Sequence, residues 1–206
     1  MPPATGRTRN ARGQGGRLRG DIVRSAAELL DETGDAGAVT LRAVARQAGI
    51  SAPSIYGHFA DREAILLAVV QEEFDALTAH LLGTAGEEDP VNGLLAWCHA
   101  YLDYAVEHPQ RYLVMFGGIW NAQRAMADEV ISRADVAALG QTALADLVAR
   151  LEACVTAGRS TSSDAPSDAM GLWVALHGLA HQRIVSTALT WPPGVADRLI
   201  RRLAYL

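Results

Sequence analysis

The stretch Thr40–Arg62, TLRAVARQAGISAPSIYGHFADR, decides the reading of this chain. Leu41, Val44 and Ala45 fall at i, i+3 and i+4 and line one face of a short helix. Thr40, just ahead of them, supplies a hydroxyl that can cap it. Ala48-Gly49-Ile50 ends the run, and Gly49 suits the positive φ of a helix terminus. Ser51 stands where a second helix would be capped, and Pro53 fits a first turn, where no intrahelical N–H bond is needed. Ile55 and Phe59 face inward, which leaves Ser51, Ala52, Ser54, Tyr56 and His58 outward or along the edge. A helix that begins with small and polar groups can approach base edges closely in a major groove. The same spacing also suits an ordinary helical hairpin, so the pattern alone leaves both readings open.

Outward from this stretch the chain reads as helices throughout, with no strand alternation and no internal repeat. Ile22 to Leu30 precedes it, with Ala26, Ala27, Leu29 and Leu30 in apolar places. Asp61 is a good N-cap, and Ile65, Leu66, Val69, Val70, Phe74, Leu77, Leu81 and Leu82 keep helical spacing after it. Gly83 to Pro90 is a polar break. A second long helix runs from about Val91 to Glu107, and His108-Pro109 starts a short apolar one that Gly117-Gly118 ends. Ala122 to Gly158 reads as one long helix or two, and Asp164 to Leu189 as another. Trp191-Pro192-Pro193-Gly194 is a turn ahead of a last amphipathic helix, Val195 to Tyr205.

Half of the 206 residues are apolar, enough for a substantial helical core. No apolar run reaches membrane-spanning length, and the polar, glycine-rich start carries no signal-peptide pattern, so a cytoplasmic protein away from the membrane is expected. The two cysteines, Cys98 and Cys154, lie far apart in apolar helical stretches and read as buried free thiols. The net charge of −5 is unevenly spread. Residues 1–60 hold eight arginines and five acids, a net of +3, which leaves −8 for the remainder. The positive field therefore sits on the segment that would meet phosphates. Every basic residue is arginine. Residues 1–16 form a flexible basic arm, with Arg7, Arg9 and Arg12 able to lie along phosphates or in a minor groove, or simply to solubilise.

The order of these parts over Arg17–Glu73 resembles the N-terminal domain of the tetracycline-repressor (TetR) family of bacterial transcription regulators. The match rests on the first helix, Thr40, Val44-Ala45, the turn Gly49-Ile50-Ser51, the Ile55-Tyr56-x-His58-Phe59 exit and Asp61-Arg62-Glu63. Two departures are Arg62, where the family usually has lysine, and Pro53, where it often has glycine or threonine. The resemblance implies an all-α chain in two parts. Residues 17–62 would be the helix-turn-helix DNA-binding domain and residues 63–206 the effector-binding and dimerisation domain. It implies that Tyr56 and His58 contact phosphates, that Thr40 and Arg62 fix register, and that Ser51, Ala52, Pro53 and Ser54 approach base edges. Arg42 is a candidate for a base or phosphate contact, and Arg17 and Arg19 adjoin the first helix.

Trp173, His177 and Gly178 form a W-x-x-x-H-G pattern similar to one C-terminal domain type of the same family. Such domains, by resemblance, bind a small effector and form the dimer. Trp97, Tyr101, Tyr104, Met115, Phe116, Trp120, Trp173 and His177 offer large apolar surfaces with a few polar tips. They would line a pocket between helices or fill core. His177 and His181 have metal-ligand spacing, but no H-E-x-x-H pattern and no third ligand accompany them, so no metal is expected. The last two helices are strongly apolar, with Met170, Leu172, Val174, Leu176, Leu179, Ile184, Val185 and Leu189, then Val195, Leu199, Ile200 and Leu203. They could pair with a second copy as a four-helix interface, or be buried within one chain.

The expectation is a ligand-responsive regulator, most simply a homodimeric repressor that a small apolar or aromatic effector releases from double-stranded operator DNA. No cofactor and no catalytic residues are expected, because no paired carboxylates, nucleophile-base pattern or nucleotide loop is present. The alternative is a helical dimeric small-molecule-binding or interaction protein without sequence-specific DNA binding.

Overall fold

The computed structural model describes residues 14–206 except 119, 128 and 130, and every regular element among them is helical. The arm arginines Arg7, Arg9 and Arg12 lie outside the described residues. The helices fall into two compact units, the first ending at Val69 and the second beginning at Val70.

The first unit holds α1 (Gln14–Thr33), a 3-10 turn (Ala36–Ala38), α2 (Leu41–Gln47), α3 (Ala52–Ile55) and the start of α4 (Arg62–Leu82). α1 begins well before Ile22, in a stretch whose glycines gave no helical signal. Ile22, Val23, Ala26 and Leu30 of α1 close over Val44, Ile55, Phe59, Ile65 and Leu66, all buried. Each of the large ones contributes about 1.5–3 kcal/mol by leaving water. The spacing that placed Ile55 and Phe59 inward is thus the spacing that makes this small core. Asp61 caps α4 as expected, its Oδ1 accepting the Ala64 N–H at 2.8 Å.

The second unit contains the rest of α4, then α5 (Pro90–Glu107), α6 (Pro109–Phe116), α7 (Ala122–Ala127), α8 (Arg133–Ala138), α9 (Gln141–Thr156), α10 (Ala165–Val185) and α11 (Val195–Leu203). α5, α9 and α10 pack pairwise around Leu94, Trp97, Leu102, Leu147, Leu151, Leu172 and Leu176. α11 lies against α10 and α5, where Asp197 Oδ1 meets His99 Nε2 at 2.7 Å. Asp89 starts α5 by accepting from Val91 N and Asn92 N. Cys98 and Cys154 are buried free thiols, and burial raises the pKa of both.

Two stretches of this unit depart from the sequence reading. Ala122–Gly158 is neither one helix nor two but α7, α8 and α9. Ser132 caps α8 through the Asp135 N–H, and Gly140, at φ 74°, breaks the chain ahead of α9. These local signals are weak beside a long alanine-rich run. α10 ends at Val185 rather than Leu189, because Ser186 closes it. Its apolar series also splits between two faces. Ala169, Leu172, Leu176, Leu179 and Ala180 are buried, whereas Met170, Val174 and Val185 are 42%, 58% and 51% exposed. No described helix is long and apolar enough to cross a membrane.

Candidate nucleic-acid interface and effector cluster

The interface begins with the two-helix break. Thr40 Oγ1 accepts the Ala43 N–H at 3.2 Å and so starts α2. At its other end Gly49 takes φ 66°. The Ile50 N–H then returns to Ala45 O at 2.9 Å and the Gly49 N–H to Arg46 O at 3.2 Å. This left-handed exit satisfies carbonyls that a helix end leaves open, and it turns the chain sharply into α3. Pro53 occupies the first turn of α3. Ser51 holds the N-cap position, but its hydroxyl does not cap. It is hydrogen-bonded instead to the Ser54 hydroxyl at 2.7 Å.

Ile55 and Phe59 turn in, so Ser51, Pro53, Ser54 and Tyr56 are exposed, with Ala52 and His58 at the edge. Tyr56 is 64% exposed, unusual for a large ring in so small a unit. Arg17, Arg19 and Arg42 are exposed as well. The Arg19 guanidinium lies 4.9 Å from the Phe59 ring centroid, a cation–π contact that holds it against the end of the break. Arg62 is placed differently. Its Nε donates to Val39 O, its Nη2 to Ala36 O and its Nη1 to Glu63 Oε1, so it faces the protein.

The eight candidate aromatic, methionine and histidine residues of the second unit fall into groups. Trp97, Tyr101, Tyr104, Met115 and Trp120 are buried, whereas Phe116, Trp173 and His177 keep some exposure. His177 is the centre of the largest group. Phe116 and Trp173 flank its ring at 4.0 and 4.4 Å between centroids, and Tyr101 and Tyr112 lie at 5.5 and 5.9 Å. The Tyr101 hydroxyl is hydrogen-bonded to His177 Nδ1 and lies 3.2 Å from the Tyr112 hydroxyl, which donates to His177 O at 3.4 Å. Trp97 stacks on Tyr101 at 6.0 Å. Burial, with a smaller contribution from His181, holds the His177 pKa down to about 4. Burial also raises Tyr112 to about 12 and Tyr101 well above the usual phenol range. The group therefore carries no charge at neutral pH.

Tyr104 belongs elsewhere. Its hydroxyl donates to Glu73 Oε2 at 2.9 Å, and Arg111 Nη1 lies 3.5 Å from Glu73 Oε1. Glu73 and Tyr112 were missed as site residues. Glu73 sits four residues from both Val69 and Leu77 on the apolar stripe of α4, and an acid in that register was the available signal. Phe74, its neighbour, meets Phe116 edge to face at 5.2 Å. On its other side Phe74 lines an open groove of about 420 Å³ with Asp75, Thr78, Asp135 and Leu139. The buried indole N–H groups of Trp97 and Trp120 have no hydrogen-bond partner among the described residues. Nor do three His, Cys, Asp or Glu side chains gather there as a metal set.

A helix-turn-helix head ahead of a separate all-helical unit defines a class of bacterial regulators, and the comparisons agree. Residues 94–205 match the family described as tetracyclin repressor-like, C-terminal domain. Residues 22–69 match bacterial regulatory proteins, tetR family. The chain belongs to the TetR family. An uncharacterised HTH-type transcriptional regulator of Bacillus subtilis (strain 168), YobS, is 31% identical over 91 residues, which are 44% of this chain and 47% of that protein. The match thus spans about half of that relative. The fatty acid degradation regulator FadR of Bacillus halodurans superposes with a TM-score of 0.70 at 12% identity, over 95% of this chain and 97% of that one. A Rhodococcus sp. RHA1 protein whose own function is unknown gives a TM-score of 0.71 at 25% identity, over 91% of each chain.

Proposed function

We propose that this chain is a ligand-responsive DNA-binding transcriptional regulator, a cytoplasmic repressor that a small apolar or aromatic effector releases from its operator. The observation that carries this reading is the exposed Ser51–His58 edge beyond the left-handed turn at Gly49, in a family whose heads have this form. Tyr56 and His58 contact phosphates. Thr40 accepts from Ala43, so its own hydroxyl proton remains to donate to a phosphate oxygen. Ser51, Ala52, Pro53 and Ser54 approach base edges. The two serine hydroxyls share one proton, which leaves one donor between them, and shape and methyl contacts carry much of the selectivity. Arg17, Arg19 and Arg42 supply the positive field.

Two copies pair through α10 and α11. The exposed Met170, Val174 and Val185 support this, since the opposite face of α10 already serves the chain's own core. A dimer sets two heads on successive major grooves. The effector meets the partly exposed wall of Phe116, Trp173 and His177, with Tyr101, Tyr112 and Trp97 behind it. An uncharged wall favours an uncharged ligand. For release, the ligand must bind the DNA-free form better than the bound form.

The test is fluorescence anisotropy with duplex DNA from upstream of the gene for this chain, against a scrambled duplex at the same salt. Selective binding that small apolar or aromatic compounds relieve is the expected result. Equal, weak binding to both duplexes, and to random genomic fragments, would leave a helical protein that does not read sequence.

A further inference from the structure

We infer that Arg62 is a positioning residue that fastens the first turn of α4 to the start of α2, and that it does not serve as a phosphate contact. The inference rests on the DNA-binding reading above only for what the fastening serves. Arg62 opens α4, a place from which a cation could reach toward a nucleic-acid backbone. Its guanidinium is committed elsewhere. Nε donates to Val39 O at 2.9 Å and Nη2 to Ala36 O at 2.7 Å, the carbonyls of the C-cap and of the first residue of the 3-10 turn. Nη1 donates to Glu63 Oε1 at 2.7 Å.

Two consequences follow from the chemistry. First, a carboxylate at hydrogen-bond distance cancels the charge that a phosphate would seek and adds repulsion of its own. Second, Val39 is fully buried and precedes Thr40, the residue that caps α2. A side chain holding Val39 O and Ala36 O therefore holds the base of α2, and with it the turn that aims α3. Whatever displaces the first turn of α4 displaces α2 with it. The forked, planar guanidinium is what permits three acceptors in three directions. An ammonium on a flexible stem is a single point and cannot reproduce that geometry.

The experiment uses the full-length chain and a random-sequence duplex of about 30 base pairs, with Arg62→Gln, Arg62→Lys and the exposed control Arg42→Gln. Two readouts are taken: the slope of log affinity against log salt, and amide hydrogen exchange over residues 36–45. Removing a cation that neutralises one phosphate flattens the slope by about 0.9. Arg42→Gln is expected to flatten it. Both Arg62 variants should keep the wild-type slope while the amides of 36–45 exchange at least several-fold faster, in Arg62→Lys as well as in Arg62→Gln. A flatter slope for Arg62→Gln overturns the inference, and so does unchanged exchange in both variants. If the wild-type chain shows no affinity for DNA, the functional reading fails on its own. Exchange then still decides the fastening: faster exchange upholds it and unchanged exchange refutes it.

Discussion

In the first unit the side chains proposed for recognition stand clear of the protein: Tyr56 is 64% exposed, and Ser51, Pro53, Ser54 and Arg42 are exposed with it. In the second unit the arrangement is reversed. Tyr101 is 1% exposed and its hydroxyl is shared between His177 and Tyr112, so the polar atoms sit inside a shell of rings. A surface built to meet a large, charged, preformed partner can leave its groups in water until the partner arrives. Polar atoms buried among rings lose their water, so they are retained at low cost only where they find partners within the protein. The contrast predicts that changes in the ring cluster of the second unit register as stability and changes along the exposed Ser51–Tyr56 edge of the first as affinity.

The largest expected effect is at Tyr101. Tyr101→Ala removes a buried ring and strands the hydrogen-bonding atoms of Tyr112 and His177, which should cost about 3–5 kcal/mol of folding free energy. Urea denaturation measures it, and a loss below about 1 kcal/mol would mean that the cluster is not the core it resembles. His177 comes next, through pH. Its pKa is held down to about 4 from 6.5, so between those values the unfolded chain binds a proton that the folded chain refuses. Stability is therefore full above the higher value and falls as pH drops toward the lower, by at most about 1.4 kcal/mol per pH unit from this group. His177→Phe should flatten that dependence in urea midpoints taken between about pH 4.5 and pH 7.

The comparison inverts at Tyr56. Tyr56→Ala should weaken binding about tenfold on operator and unrelated DNA alike, while stability stays within about 0.5 kcal/mol of wild type. A fall in thermal midpoint with unchanged affinity would erase the contrast between the units. The smallest effect is at Thr40, where Thr40→Ala removes the cap of α2 and should cost about 1 kcal/mol, with Thr40→Ser restoring most of it. Calorimetry can separate the two substitutions.

What was legible in the sequence was what neighbours along the chain determine. Thr40, Gly49, Pro53 and Asp61 each act within a few residues of themselves, and each does what its chemistry implied. Ile55 faces inward from the end of α3, and Phe59, beyond the helix, is kept on the same side by its N–H to Ile55 O at 2.9 Å. Ser51 shows the limit of such reading: it has the right position for a cap, but its hydroxyl pairs with the hydroxyl three residues on. Arg62 shows a second limit, because Val39 and Ala36 lie more than twenty residues earlier and only folding brings them to it. The ring cluster around His177 had the same difficulty. Periodicity could gather eight large side chains as candidates, but it could not tell that Tyr104 turns to Glu73 while Tyr112 turns to His177. Nor could it divide α10 into a face used by its own chain and a face left open.

Gly49 constrains the variants this chain can tolerate in an unusual way. A Cβ built there would meet nothing within 4 Å, yet the backbone sits at φ 66°. The restriction is one of torsion and not of room. Among descendants selected only to keep the turn, size would be a poor guide to survival at this position. Asparagine, larger than alanine but at ease in the left-handed region, should persist where alanine is depleted and valine is lost. The turn that aims the reading head is thus protected by a dihedral angle, and drift at this position should follow the Ramachandran map more closely than any scale of volume or polarity.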